Sequence, residues 1–200
     1  MRRGVVIAVL SLTLAFAGAL GAIHAQPYDL NDLRALLAPD PACAAPCFLG
    51  VRPGHTTPEQ ASALLRANDW VARVDQSDSQ IVWSWSGRQP RWIAPGTFGQ
   101  IILDVHGLVG TIKVPTTIPT SALWIDFGVP ATGYVATQPR AMMHFVAYPQ
   151  VGFGAVIETG CPTGGLGFYE STATLYWGIV WNSMTSDNDY RDLWRHYVEC

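Results

Sequence analysis

Hydrophobic residues recur at helical spacing in four segments of the chain. Residues three or four positions apart share one face of a helix, so each segment predicts an amphipathic helix. The second helix begins after Thr57, and the third ends at the glycine stop of Gly128. The four predicted helices cover Asp29–Leu37, Thr57–Asn68, Thr117–Gly128 and Asp189–Val198.

The second helix has a well-defined start in Thr57-Pro58-Glu59-Gln60. A threonine followed three residues later by glutamine predicts a capping box, and proline is well tolerated at the first helical position. The predicted buried face contains Ala61, Leu64 and Leu65. A helix start can also bind an anion. We favour capping, because Pro58 lacks an N–H donor and Glu59 places a negative charge in the first turn.

Between the helices, the hydrophobic pattern changes to that of strands. Ile81–Ser86 alternates tryptophan and serine from Trp83 onward. His106-Gly107 lies between two apolar runs and predicts a hairpin with a two-residue turn. The predicted strands are Ile81–Ser86, Ile101–Val105, Leu108–Val114, Met143–Tyr148, Phe153–Glu158 and Thr174–Trp181, and a fourth strand in the first half is allowed.

The same order of elements occurs twice, a helix followed by strands. Ser121-Ala122-Leu123-Trp124 also repeats Ser62-Ala63-Leu64-Leu65 in part. The pattern therefore predicts an α+β protein built from two tandem helix-plus-antiparallel-sheet modules. The expected organisation is a signal peptide over 1–25, an N-terminal helix and linker over 26–44, a first module over 45–115 and a second over 116–200.

The N-terminus has the three parts of a secretory signal. Met1-Arg2-Arg3 carries positive charge, Val5–Ile23 is uncharged and apolar, and small residues lead to Ala25. This pattern predicts export with cleavage after Ala25. The alternative is a retained membrane anchor, since the apolar run approaches the length that spans a bilayer. Both place the body of the protein outside the cytoplasm, and the membrane is expected to be contacted only through an uncleaved N-terminal segment.

Charge argues against a nucleic-acid partner. Charged residues make up 14% of the chain, and Lys113 is its single lysine. Cleavage after Ala25 would leave ten basic residues against fifteen acidic ones, a net charge of about −5. No basic stripe remains to neutralise phosphates.

Four cysteines are present, Cys43, Cys47, Cys161 and Cys200. An even number in an exported chain predicts disulfides, and the spacing does not match a zinc knuckle. One pairing joins Cys43 to Cys47 and Cys161 to Cys200. The other cross-links the Cys43/Cys47 pair to the C-terminal half, and the sequence leaves both open.

The stretch from Gly50 to Ala61 resembles the G-x-x-x-G-x-T-x-x-E helix start of small exported bacterial modules. These modules include the outer-membrane-assembly lipoprotein E and the beta-lactamase inhibitor proteins. Phe127-Gly128-Val129-Pro130 is similar to the L-G-x-P that ends their helix, and Cys43 to Phe48 is similar to uncharacterised exported proteins. The resemblance implies helices packed on an antiparallel sheet and a non-catalytic binding surface. The chain lacks the lipoprotein's lipidation cysteine.

No motif in the sequence indicates catalysis, a metal or a cofactor. There is no G-x-S-x-G elbow, and no two histidines have a metal-ligand spacing. The acidic run Asp187–Asp192 lacks the glycine and terminal glutamate of a calcium loop, which favours helix capping there. We therefore expect no catalytic residues, no metal and no cofactor, although carboxylates distant in sequence can still form a pair.

The tryptophans give the remaining candidate site. Trp83 and Trp85 lie two residues apart and so share one face of a strand, and Trp92 follows in the next loop. Exposed, these three residues would form a binding surface; buried, they would line the core. The sequence predicts a binding or scaffold protein with an extracytoplasmic protein partner. The alternative is a carbohydrate-active protein, either a sugar-binding module or a cell-wall hydrolase.

Overall fold

The computed structural model describes residues 11–19, 21, 31–37, 43–130, 132–160 and 167–178. Contacts divide the chain into two compact units, Met1–Asn31 and Asp32–Cys200. In the first unit, residues 11–19 are helical. Among the described residues, no helix has both the length and the apolar character needed to cross a bilayer.

The described residues from Asn31 onward form short helices and eight strands. The helices are α1 Asn31–Leu37, α2 Pro58–Arg66, α3 Thr120–Phe127 and α4 Gly167–Glu170. The strands are β1 Val71–Gln76, β2 Gln80–Trp85, β3 Phe98–Leu103, β4 Val109–Pro119, β5 Thr132–Gln138, β6 Ala141–Tyr148, β7 Phe153–Gly160 and β8 Thr172–Trp177.

All eight strands form one sheet in the order β1-β2-β3-β4-β8-β7-β6-β5, and every neighbouring pair is antiparallel. Each group of four consecutive strands is a meander, and the last strand of one pairs with the last strand of the other. The α+β class is confirmed, with a single continuous sheet.

Alternation along the strands gives the sheet one buried face. Its central residues, one from each of β2, β3 and β4, are Ile81, Ile101 and Ile112, which lie side by side in the register and are fully buried. The same face continues through Leu175 of β8 and Ala155 of β7. Helix α2 packs on β1 and β2, and α3 packs against β4 and α4.

Aromatic rings connect the two halves of this buried face. Phe48, which follows the Cys43–Cys47 loop, lies 4.4 Å from the Trp177 ring of β8 and 6.5 Å from the Trp83 ring of β2. Phe153 continues the contact to Trp177, and Phe127 of α3 packs on Phe153 at 5.4 Å. The loop before α2 thus supplies a ring that bridges two strands of different meanders.

The start of α2 confirms the capping box. The Thr57 hydroxyl accepts a hydrogen bond from the Gln60 N–H, and the Gln60 side chain accepts one from the Thr57 N–H. The predicted buried face was wrong at one position. Leu64 is largely exposed, whereas Ser62 is buried and donates a hydrogen bond to the Gln76 side chain at 2.6 Å.

The predicted third helix began too early. Residues 117–119 belong to β4, because Ile118 continues the alternation that buries Val114, and Pro119 pairs with Thr172 of β8. Helix α3 therefore begins at Thr120. Strand β4 also runs across the expected module boundary between residues 115 and 116.

Two strands, β1 and β5, carry no clear hydrophobic alternation and were not predicted by name. Both are edge strands, and most of their side chains are half-buried or exposed. The repeated tetrapeptide also occupies different faces in the two helices. In α2 its first and fourth residues are buried, whereas in α3 its second and third are.

Cys43 and Cys47 form a disulfide, so the pairing that cross-links them to the C-terminal half was wrong. The other two cysteines, Cys161 and Cys200, lie outside the described residues. So do the predicted helix Asp189–Val198, the last residues of the predicted strand Thr174–Trp181, and the acidic run Asp187–Asp192.

Candidate functional site

The second face of the sheet, which we call the open face, carries aromatic and aliphatic side chains. The usual pattern for a solvated sheet face is polar. In the register, its positions alternate with the fully buried ones and are mostly half-buried or exposed. The larger apolar residues on it are Val82, Phe98, Ile102, Phe145, Tyr134 and Tyr176, which are half-buried or exposed, and Val156, which is buried.

The most exposed part of the open face lies on β3. Phe98 is 60% exposed and Ile102 is 45% exposed. Gln100 lies between them on the same face and donates a hydrogen bond to the Gln80 side chain of β2 at 2.6 Å. Phe98 and Ile102 therefore form an apolar patch on either side of the hydrogen-bonded Gln80–Gln100 pair. Burying this patch against another molecule would be favourable, because apolar surface would be removed from water.

A second aromatic group lies at the far end of the sheet. The rings of Tyr134 on β5 and Phe145 on β6 stack with centroids 4.4 Å apart and planes 2° from parallel. The register continues from Phe145 to Val156 and Thr174, so these residues form one transverse row on the open face. Burial raises the pKa of Tyr134, so its hydroxyl remains protonated at neutral pH.

A cavity of about 660 Å³, which we call the strand-end groove, opens where this face meets the loops. One row of register partners across the sheet runs from Thr132 through Ala147 and Gly154 to Tyr176. The two small residues in the middle of this row leave a depression between the larger side chains at its ends. The lining comes from several separate segments and includes Pro46, Asp104, Thr111, Thr132, Pro149 and Tyr176. The volume lies in the range typical of small-ligand sites.

Asp104 supplies a fixed negative charge to the groove. Its carboxylate accepts hydrogen bonds from the N–H groups of Leu108 and His106, both at 2.9 Å. The Leu108 bond, together with the His106 bond and the His106 imidazole, holds the pKa of Asp104 below its usual value. These bonds close the β3–β4 hairpin at the predicted place, but the connection between the strands spans residues 104–108 and is longer than the two residues expected.

Across the groove, burial raises the pKa of Tyr176 and keeps its hydroxyl protonated. Tyr176 pairs in the register with Lys113 of β4. The groove therefore offers a carboxylate acceptor, a phenol and two threonine hydroxyls around a small-residue floor. Such a set can hold the polar groups of a peptide or small molecule by hydrogen bonds.

The predicted tryptophan site is divided between core and surface. Trp83 is 1% exposed and lies on the buried face, where it packs against Trp85 with ring centroids 5.5 Å apart. Trp85 and Trp92 are half-buried, and the Arg91 guanidinium lies 4.9 Å from the Trp92 ring. Trp83 is therefore a core residue, and binding by Trp85 or Trp92 stays a prediction.

The described residues do not place two carboxylates at the groove. Among the described residues that line it, Asp104 is the one acidic side chain. Nor do the described residues bring three or more histidine, cysteine, aspartate or glutamate side chains together as metal ligands. The carbohydrate-active alternative stays a prediction.

Sequence reasoning missed both parts of this site. The residues that line the groove come from segments far apart in the chain, and no local sequence motif indicates such a site. The apolar residues of the open face could not be identified from sequence either. Ile101 and Ile102 are both apolar, and the sequence alone does not show which of the two points to the buried face. The Asp104-His106-Gly107 turn was the one local signal.

Comparison with known proteins adds one distant structural likeness. No protein-family model matches the chain, and no curated protein matches it. A solved structure that resembles it is a DUF4309 family protein (YjgB) from Bacillus subtilis, with 11% identity and a TM-score of 0.40. The match covers 65% of this chain and 83% of that one. A likeness this weak assigns no function, and the resemblance to the beta-lactamase inhibitor proteins stays a prediction.

Proposed function

We propose that this protein is an exported, non-catalytic binding protein that holds another extracytoplasmic protein on the open face of its sheet. The observation that carries the proposal is the exposure of Phe98 and Ile102, which lie near the two ends of β3 on the same face of the strand. Large apolar side chains clustered on a solvated surface are typical of protein interaction sites.

The arrangement of the whole open face supports a protein partner. The β3 patch and the Tyr134–Phe145 stack lie on opposite sides of the central strands. A small ligand would fill the strand-end groove, whereas a partner that contacts both aromatic groups must extend across most of the sheet. Aromatic residues of this kind often dominate binding free energy at protein interfaces.

Export is part of the same proposal. The positively charged, then apolar N-terminus favours it, and the Cys43–Cys47 disulfide is typical of oxidising compartments. Because Cys47 directly precedes Phe48, we expect an oxidising environment to favour the aromatic contacts between the two meanders as well.

We further propose that the two halves are tandem modules of the kind found in the beta-lactamase inhibitor proteins. In support, each half contains a helix followed by four strands that are neighbours in the sheet, and the two sets meet at their last strands. The second half also has the short helix α4 between β7 and β8. The repeated tetrapeptide gives no support, since its residues face different sides in α2 and α3.

Two matched double variants test the binding proposal. F98S/I102S removes the exposed apolar pair of the open face, and I125S/V129S removes two exposed apolar residues at α3 and just after it. Each protein is immobilised and exposed to the extracytoplasmic fraction of the native cells. We expect wild type and I125S/V129S to retain the same protein, and F98S/I102S to retain it at least about tenfold less.

Equal retention by both double variants would overturn the proposal, as would equal loss from both. Thermal unfolding of each variant checks that the sheet is intact. Retention of glycan in place of protein would favour the carbohydrate-binding alternative.

A further inference from the structure

The two edges of the sheet differ in how they are protected. An edge strand presents unpaired N–H and C=O groups, and proteins usually protect such edges with charge, proline, a bulge or a covering element. Strand β1 has two of these protections, a shift in register and charge, and a helix also packs on it. Its pairing with β2 shifts between Val71 and Arg73, it carries the exposed Arg73–Asp75 ion pair, and α2 packs on it.

Strand β5, at the other edge, has none of those features among the described residues. Its sequence, TGYVATQ, contains no charged residue and no proline. Seven consecutive pairs join it to β6 without a shift in register. Within the described part of the chain, β6 is its one strand partner. Its outer edge is therefore a regular, uncharged template for another strand.

We propose that β5 pairs with β5 of a second copy of this chain, in an antiparallel arrangement centred on Val135. The strand is self-complementary in this register. Tyr134 faces Ala136 of the partner subunit, and Gly133 faces Thr137 of the partner subunit, so in these two pairs a larger side chain lies opposite a small one. Val135 lies opposite Val135 of the partner subunit on the two-fold axis. No charges meet across the two-fold axis, and like charges directly opposite would be unfavourable.

This pairing joins two eight-stranded sheets into one sheet of sixteen strands. Tyr134 and Phe145, stacked on the open face beside the edge, then lie next to the junction. The two open faces become continuous, so the dimer presents two copies of the same binding surface. The inference concerns the edge of the sheet and does not depend on the proposed function of its face.

The register provides a charge test with matched variants. Thr132 lies opposite Gln138 of the partner subunit, and both side chains are exposed. On the β6 side, their neighbours are alanines, Ala147 and Ala141, so added charge meets no charge within the same chain's strand pair. T132K/Q138K places lysine opposite lysine at both ends of the junction, whereas T132K/Q138E places lysine opposite glutamate.

Analytical ultracentrifugation of the full chain across a concentration series measures the outcome. We expect a wild-type dimer, a dissociation constant raised at least about tenfold in T132K/Q138K, and a dimer in T132K/Q138E that weakens as salt is added. A72K/D75K, which places lysines on the opposite edge, should dimerise as wild type does. Circular dichroism checks folding in each variant.

Two results would overturn the inference. One is a wild-type chain that remains monomeric throughout the series. The other is equal dimerisation of the lysine–lysine and lysine–glutamate variants, which would place the contact elsewhere. In that second case, loss of the dimer in A72K/D75K would assign the contact to the β1 edge.

Discussion

The indole ring of Trp83 lies directly over Gly99 of the neighbouring strand. The two residues are register partners on β2 and β3, and a Cβ atom at position 99 would overlap the ring. The space left by the missing side chain lets the ring lie flat on the sheet and reach towards Phe48. Gly99 is therefore a packing requirement of the core, and its backbone conformation is an ordinary extended one.

Adding a methyl group at this position should destabilise the fold. We expect G99A to lower the free energy of unfolding by about 1–3 kcal/mol, because the core must shift to accept the extra volume. The matched control is G160A on β7, where a Cβ atom meets nothing within 4 Å. That control should change stability by less than about 0.5 kcal/mol. Equal effects in urea denaturation would contradict this role.

The capping box of α2 gives a second stability prediction. T57A removes the hydroxyl that accepts from Gln60 N–H and should cost about 1 kcal/mol. T57S keeps that hydroxyl and should remain close to wild type. Chemical denaturation compares the three proteins, and a T57S protein as unstable as T57A would show that the methyl group, and not the cap, is important.

Much of the sheet could be predicted from sequence because its central strands follow simple alternation. Ile81–Ser86 and Met143–Tyr148 are close to β2 and β6 as observed. The edge strands could not, because both faces of each carry exposed side chains, as at the consecutive residues Asp75 and Gln76 of β1 and Thr137 and Gln138 of β5. The groove could not either, because it depends on which loops the strand order brings together.

The tryptophans show the same limit in another form. Spacing places Trp83 and Trp85 on one face, and the structure confirms that they contact each other. The two-residue spacing does not show whether that face of the sheet is buried or exposed to solvent. That choice is set by distant residues such as Phe48, which reaches the sheet from the loop before α2.

The buried His144 predicts a loss of stability in acid. Desolvation lowers its pKa from 6.5 to about 4, in a position flanked by Val135 and Ile157 and 4.7 Å from the Phe168 ring. Below pH 6.5 the unfolded chain binds a proton that the folded chain excludes. Stability should therefore be full above pH 6.5 and fall as the pH approaches 4, by up to on the order of 3 kcal/mol.

Replacing this histidine isolates its contribution. H144Q should flatten the dependence of unfolding free energy on pH between 6.5 and 4, whereas H55Q, at an exposed position, should not. Urea titrations at several pH values provide the measurement. An unchanged slope in H144Q would show that other groups cause the acid sensitivity.

The Cys43–Cys47 disulfide predicts a modest stabilisation. It closes a loop with a sequence separation of four, and short loops stabilise by about 2 kcal/mol in the chain-entropy model. C43S/C47S should lose about that amount, and more if Phe48 leaves its site between Trp83 and Trp177. Tryptophan fluorescence and denaturation measure both effects. An unchanged midpoint and spectrum would contradict the coupling of this loop to the core.

The most direct test of a partner on the open face is site-specific photo-crosslinking in native cells. Benzoylphenylalanine replaces Phe98 on the open face, or Ile125 on α3, which is similarly exposed. We predict a crosslinked protein of defined mass from position 98 and none from position 125. A crosslinked protein from position 125 with none from position 98 would contradict a partner on the open face. The same conclusion would follow if neither position gave a crosslinked protein.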